Sequence, residues 1–180
     1  MAGTGPGDLE TLADDLLQAS IDALDTVPVA IPGLLGAPER SFISPHLPAL
    51  DCCDQLTVHV PAIVEADTVP GGLGKGTRHR MSRMNHVALT VTITRCVPII
   101  DGAGNLPALA ELTAASEQLL ADGWALWNHV WNLVRAKQLF SYCGEVHWDG
   151  LRPLGPEGGC AGWTLAFTVS LDGYEETLGT

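Results

Sequence analysis

From Val87 to Thr94 the chain alternates without a break: Val87, Leu89, Val91 and Ile93 interleave with Ala88, Thr90, Thr92 and Thr94. Successive side chains of a strand point to opposite faces, so this pattern builds a strand with one apolar face and offers a helix no coherent stripe. A second stretch repeats it, with Trp163, Leu165, Phe167, Val169 and Leu171 set against Thr164, Ala166, Thr168 and Ser170. Sheet faces of this kind need a cover of helices or of a second sheet.

Two segments of helical period supply that cover. Over 8–25, Leu9, Leu12, Ala13, Leu16, Ala23 and Leu24 fall on one side, and Asp14, Asp15, Gln18, Asp22 and Asp25 on the other. Asp8 suits the N-cap, where a carboxylate accepts from a free backbone N–H. The second helix is expected from Pro107, placed in its first turn, with Leu109, Leu112, Leu119 and Leu120 as its stripe. Gly123 is expected to kink or break it. Beyond Gly123, Trp124, Trp127, Trp131 and Val134 share a face, flanked by Leu126, Val130 and Leu133. That arc is wider than the roughly 100° stripe of an ordinary surface helix. The expectation is that the sheet covers the Trp face and that a second layer or a neighbouring subunit covers the Leu126 side.

Between these landmarks, Pro28, Pro32, Pro38, Pro45 and Pro48 make 26–50 a long Pro-rich loop, with a short edge strand at Ser41–Ser44. Residues 55–65 alternate Leu56, Val58 and Val60 with Thr57, His59 and Pro61, and 142–149 completes the strands. The segment 66–85 holds Gly71, Gly72, Gly74 and Gly76 and reads as a flexible hairpin loop. The sum is one α+β domain over 1–180: an antiparallel sheet of about four strands packed against two or three helices.

Charge narrows the function. The net charge is −12, which disfavours binding to nucleic acid. Residues 1–38 carry Asp8, Glu10, Asp14, Asp15, Asp22 and Asp25 with no Lys or Arg, whereas Lys75, Arg78, Arg80 and Arg83 place four of the nine basic residues in the glycine-rich loop. No apolar run approaches the roughly 18 residues of a membrane span, and Met1–Gly7 lacks the features of a signal peptide, so a cytoplasmic site of synthesis is expected. The five cysteines, Cys52, Cys53, Cys96, Cys143 and Cys160, are odd in number and read as reduced thiols, with Cys96 and Cys160 buried.

A search for catalytic chemistry returns little. The cysteines and six histidines show no C-x-x-C, H-x-x-x-H or H-E-x-x-H spacing. No G-x-S-x-G elbow occurs. His59 and His86 alternate with apolar residues and read as exposed strand histidines, and Glu145 and His147 read as surface residues. Gly71–Thr77 superficially suggests a phosphate loop, but Gly74-Lys75 is followed by Gly76 and then by a strand, whereas a Walker A loop ends in Gly-Lys-Ser/Thr and opens a helix. No catalytic residue, cofactor or metal is assigned.

Several segments together carry a family resemblance: the helix Asp8–Leu24, Arg40-Ser41-Phe42-Ile43-Ser44, Cys53-Asp54-Gln55-Leu56-Thr57-Val58, Thr94-Arg95-Cys96-Val97-Pro98, Leu119-Leu120-Ala121-Asp122-Gly123-Trp124 and Gly158-Gly159-Cys160-Ala161-Gly162-Trp163. In this order they resemble the tail terminator proteins of long-tailed bacteriophages, especially those of actinobacterial hosts; the loop 66–85 has no counterpart. The resemblance implies a non-enzymatic virion protein, assembled in the host cytoplasm, that forms a homohexameric ring at the head–tail junction. The ring would cap the tail tube, end its polymerisation and join the head. Its partners would be its own copies, the major tail tube protein and a head-side connector or stopper, with DNA only passing through the lumen and no membrane involved. A head-completion or stopper protein is the nearest alternative, and a cytoplasmic Cys/His metalloenzyme the one from another class. Within the ring reading, Lys75, Arg78, Arg80 and Arg83 are the candidate docking residues for an acidic surface, such as Asp14, Asp15, Asp22 and Asp25 of a neighbouring copy.

Overall fold

The computed structural model describes residues 9–30, 34–45, 54–65, 85–100 and 102–171. Its elements run α1 (Leu9–Ala30), β1 (Arg40–Ser44), β2 (Gln55–Glu65), β3 (Asn85–Cys96), α2 (Leu109–Arg135), β4 (Val146–Glu157) and β5 (Cys160–Leu171). The class is α+β, with two helices and a five-stranded sheet in the order β1-β2-β3-β5-β4. The fifth strand is the short edge element β1, which pairs parallel to β2, while every other pairing is antiparallel.

The alternating segments form the centre. β3 and β5 pair in unbroken register from Asn85 opposite Leu171 to Cys96 opposite Cys160. Val87, Leu89, Val91 and Ile93 face the same side as Leu56, Val58, Leu165, Phe167 and Val169, and all are buried. Leu12, Leu16 and Leu24 of α1 and Leu126 and Val130 of α2 close the core over them. Each such side chain contributes about 1.5–3 kcal/mol when fully buried. The opposite face is polar yet also withdrawn from solvent: Gln55, Thr57, His59, Thr90, Thr92 and Thr94 are all buried. The expected exposure of His59 is therefore corrected. Nor is it a neighbour of His86, since His59 lies opposite Thr90 and His86 opposite Val64.

Four further expectations change. α1 runs on to Ala30, through Pro28. Proline deletes one donor but fixes φ near the helical value, so it thins the ladder without forcing the chain out of it. α2 starts at Leu109, with Ala108 as N-cap and Pro107 outside the helix. Ala108 has no capping side chain; instead the Glu111 carboxylate accepts from the Ala108 N–H at 3.3 Å. α2 is also unbroken at Gly123, where a Cβ would lie 2.7 Å from the Trp163 indole. The glycine makes room for a ring rather than a bend. Finally, β4 is longer than 142–149, reaching Glu157 through Gly150 and Pro153. A proline is tolerated there because β4 is an edge strand, and the ladder to β5 shifts register between Trp148 and Gly150.

Candidate assembly surfaces

The acidic face of α1 is present and partly engaged within the subunit. Asp14, Asp22 and Asp25 are exposed and Asp15 is half-buried. Asp15 accepts from the Tyr142 hydroxyl at 2.8 Å, tying α1 to the segment before β4. Asp25 accepts from the Ala37 N–H at 2.8 Å and Asp22 from the Gln18 amide at 2.8 Å. Asp14 and Asp22 therefore present the most open part of this face. Lys75, Arg78, Arg80 and Arg83, with the loop 66–84, lie outside the described residues, as do Cys52 and Cys53.

A second feature, which sequence reading missed, is a buried charged hub. The Arg95 side chain leaves β3 on the same side as Val87 to Ile93 and meets Asp122 of α2, with Nε donating to Oδ2 at 2.8 Å. Its Nη1 donates to Asp54 at 2.7 Å and its Nη2 to the Gly36 carbonyl at 2.6 Å. Gln118, one turn before Asp122, donates to that carboxylate at 2.8 Å. Its Oε1 accepts from the Leu35 N–H at 2.7 Å. Burial alone would lower the Arg95 pKa, but the hydrogen bonds and charges of Asp122 and Asp54 outweigh it and hold the guanidinium as a cation. Burial pushes the Asp122 carboxyl up, against the pull of Arg95 and Gln118. Asp54 has φ 66°, a left-handed conformation that aspartate tolerates better than most residues, and it positions the carboxylate at the start of β2. The hub thus joins the α1–β1 connection, β2, β3 and α2 at one end of the sheet. A signal was there: Arg95 continues the inward series Val87, Leu89, Val91, Ile93, so a charge at that position had to meet a buried partner.

The two halves of α2 meet different surroundings. In the C-terminal half, Leu126 and Val130 are fully buried, so the core face is the one expected to meet another layer. The tryptophans sit at its margin: Trp127 and Trp131 stack with centroids 5.9 Å apart, and both pack edge-on against Trp148 of β4. Trp124 is instead 68% exposed. In the N-terminal half, the expected stripe faces solvent, with Leu109 79% and Leu120 66% exposed and Leu112 exposed as well. Leu106, Ile99 and Ile100 are also exposed, so the start of α2 and the segment leading into it form an apolar tip. Trp163 marks where contact with the sheet begins, its Nε1 donating to the Leu119 carbonyl at 2.6 Å.

A groove of about 550 Å³ lies at the other end of the sheet, between the start of α1 and the ends of β1 and β2. Leu9, Ala13, Ile43, Val60, Ala62 and Ile63 line it, and Glu10 is its one ionisable side chain among the described residues. β1 pairs with β2 only from Gln55 to His59, so beyond His59 that edge of β2 has no strand partner among the described residues.

Among the other candidates, Glu145 and His147 are exposed as expected, and His147 lies 3.8 Å from Asp149. His59 is buried with its Nδ1 unpartnered, and burial lowers its pKa. Cys96 is exposed rather than buried, and neither it nor Cys143 is in a disulfide. Cys160 is buried but disulfide-bonded, which corrects the expectation of a reduced thiol; both flank a β3–β5 ladder that ends in solvent. Among the described residues no three His, Cys, Asp or Glu side chains come together as a metal site, and no helix is long and apolar enough to cross a membrane. Comparison with protein-family models and with curated proteins finds no match to this chain.

Proposed function

We propose that this protein is a structural component of a phage particle that assembles into a ring, caps the tail tube and offers the surface on which head and tail join. The observation that carries this reading is spatial. Four of the six segments that resemble tail terminators, far apart in sequence, meet around one hub: Asp54, Arg95, Leu119 to Gly123 and Trp163 touch one another directly or through one shared partner. A resemblance spread over unrelated surface positions would carry less weight than one concentrated on the contacts that set the fold. The exposed apolar tip of α2 adds to it, since large exposed apolar patches mark surfaces that are covered in an assembly.

The test is direct. Purified full-length protein is imaged by negative-stain electron microscopy and weighed by mass photometry, alone and with a tail tube protein from the same genome. The expected result is a closed ring of several copies with a lumen, and tubes that stop growing once it is added. Tubes that lengthen unhindered in its presence would overturn the capping role and favour a head-completion or stopper protein.

A further inference from the structure

We infer that Cys96 and Cys160 form a thiol–disulfide exchange site, in which Cys96 takes over the disulfide that Cys160 makes with another cysteine. The inference goes beyond the ring reading and does not depend on it. Cys160 is disulfide-bonded, whereas Cys96 and Cys143 are in no disulfide. Yet Cys96 is the residue directly opposite Cys160, on the last rung of the β3–β5 ladder.

The kind of rung matters. In an antiparallel ladder, hydrogen-bonded pairs alternate with closer pairs that exchange no backbone bonds. One step past the last rung, the Val97 N–H donates to the Gly159 carbonyl at 2.8 Å, so that pair is of the bonded kind. At the far end, Ser170 turns both backbone groups away from β3. Its N–H donates to the Glu145 carbonyl at 2.8 Å, and its carbonyl accepts from the Gly144 N–H at 3.0 Å. Ser170 and His86, which face each other, are therefore a pair without backbone bonds. The register between the two ends is unbroken. Counting in twos from either end gives the same answer: Cys96 and Cys160 are a close pair. Such pairs hold their Cα atoms about 4.5 Å apart with both side chains on one face, inside the roughly 4.4–6.8 Å that a disulfide spans. The backbone already has the spacing of the new bond.

Access differs between the two sulfurs. Cys160 is 4% exposed and Cys96 is exposed. A dissolved thiol is kept from Cys160, while Cys96 stands beside it and is open to the solvent that accepts its proton. The step balances without oxidant or reductant. The Cys96 thiol loses its proton to water, and the thiolate attacks the Cys160 sulfur. The bond from Cys160 to its present partner breaks, and the electron pair leaves on the partner's sulfur, which takes up a proton. One disulfide and the same number of thiols stand on each side. The new bond would tie together the two strands that grip α2, since Arg95, next to Cys96, holds Asp122, and Trp163, on the same strand as Cys160, donates to the Leu119 carbonyl. Exchange closes that grip covalently.

The test is thiol mapping on the full chain, purified without reductant. One portion is alkylated with iodoacetamide at once. Another is first held without oxygen at about pH 8.5, where thiolates are abundant, and then alkylated. Both are digested without reduction and analysed by mass spectrometry. The inference expects Cys96 to lose more than half of its label during incubation, Cys143 to keep its own, and a linked Cys96–Cys160 peptide to appear while the total of free thiols stays constant. In Cys96→Ser the original Cys160 bond should persist through the same incubation. Full labelling of Cys96 at every time, with no linked peptide, would overturn the inference. So would a Cys160 bond that moves in Cys96→Ser, or a linked peptide that appears only as free thiols are lost, which is oxidation. A chain isolated with Cys160 reduced that forms no Cys96–Cys160 bond on treatment with glutathione disulfide would overturn it as well.

Discussion

The two halves of α2 share an apolar helical period and meet opposite fates. Both carry large apolar residues at helical spacing. The C-terminal half buries Leu126 and Val130 in the core and lays Trp127 and Trp131 along Trp148. The N-terminal half leaves Leu109, Leu112 and Leu120 in solvent. The boundary is the turn from Gln118 to Gly123, where the hub and the Trp163 indole hold the helix. Periodicity tells which residues share a stripe; it does not tell whether anything in the same chain lies beneath it.

Substitutions can break or sharpen that contrast. The largest effect is expected at the boundary. Arg95→Ala would leave Asp122 buried without its cation, and breaking such a pair costs about 3–5 kcal/mol. Urea denaturation checks it, and a loss below about 1 kcal/mol would mean that the hub does not hold α2. Just beyond the boundary, Leu126→Ala should cost about 2–5 kcal/mol, as expected for a fully buried leucine.

Gly123→Ala sets two effects against each other. A methyl group there would meet the Trp163 ring, at a typical overpacking cost of about 1–3 kcal/mol, offset by up to about 1 kcal/mol of helix propensity. Net destabilisation, together with a shift in tryptophan fluorescence, is the expected outcome. A stabilised variant would show that the indole moves aside freely.

The sheet face turned away from α2 provides a control. His59 is buried, and its pKa lies below the usual 6.5. Its neutral form is therefore favoured in the fold, and stability should fall as pH drops below 6.5, levelling off below the depressed pKa. His59→Gln should flatten that slope in a melting series, and Leu126→Ala should leave its shape unchanged. The smallest effect is expected at the tip. Leu109→Ser should change monomer stability by no more than about 0.5 kcal/mol, because that side chain touches little. A loss as large as that of Leu126→Ala would erase the distinction between the halves.

Much of the architecture was legible because strands announce themselves by alternation. β3 and β5 fall within a residue or two of their expected limits, and the edge strand at Ser41–Ser44 gains only Arg40. The helices were less legible in detail. An apolar arc spanning half a helix gives no ground for choosing which side meets the sheet, and both sides are engaged: Trp127 and Trp131 pack on Trp148 of β4, Leu126 and Val130 enter the core, and only Trp124 of the Trp face is left in solvent. Indoles tolerate a half-exposed margin better than a slot beneath a helix, and smaller Leu126 and Val130 fill the slot. Gly123 looked like a break because a glycine signals flexibility unless its neighbour in space is known. The hub was only half legible: Arg95, by its place in the inward series, calls for a buried partner, but nothing in the sequence says that Asp122 and Asp54 supply it. The acidic residues of the expected docking pair are on α1, and three of the four carboxylates, Asp15, Asp22 and Asp25, already accept hydrogen bonds within the subunit.

The anchoring of α2 also has a mechanical side. From Leu109 to Gln118 is about 14 Å of helix axis. With so long an arm, a tilt of about 10° at the anchor would carry the tip sideways by roughly 2 Å, more than a close-packed contact tolerates. The guanidinium clamp therefore governs aim as well as cohesion. Loosening it by a conservative change, such as Arg95→Lys, would leave a folded molecule whose far end wanders.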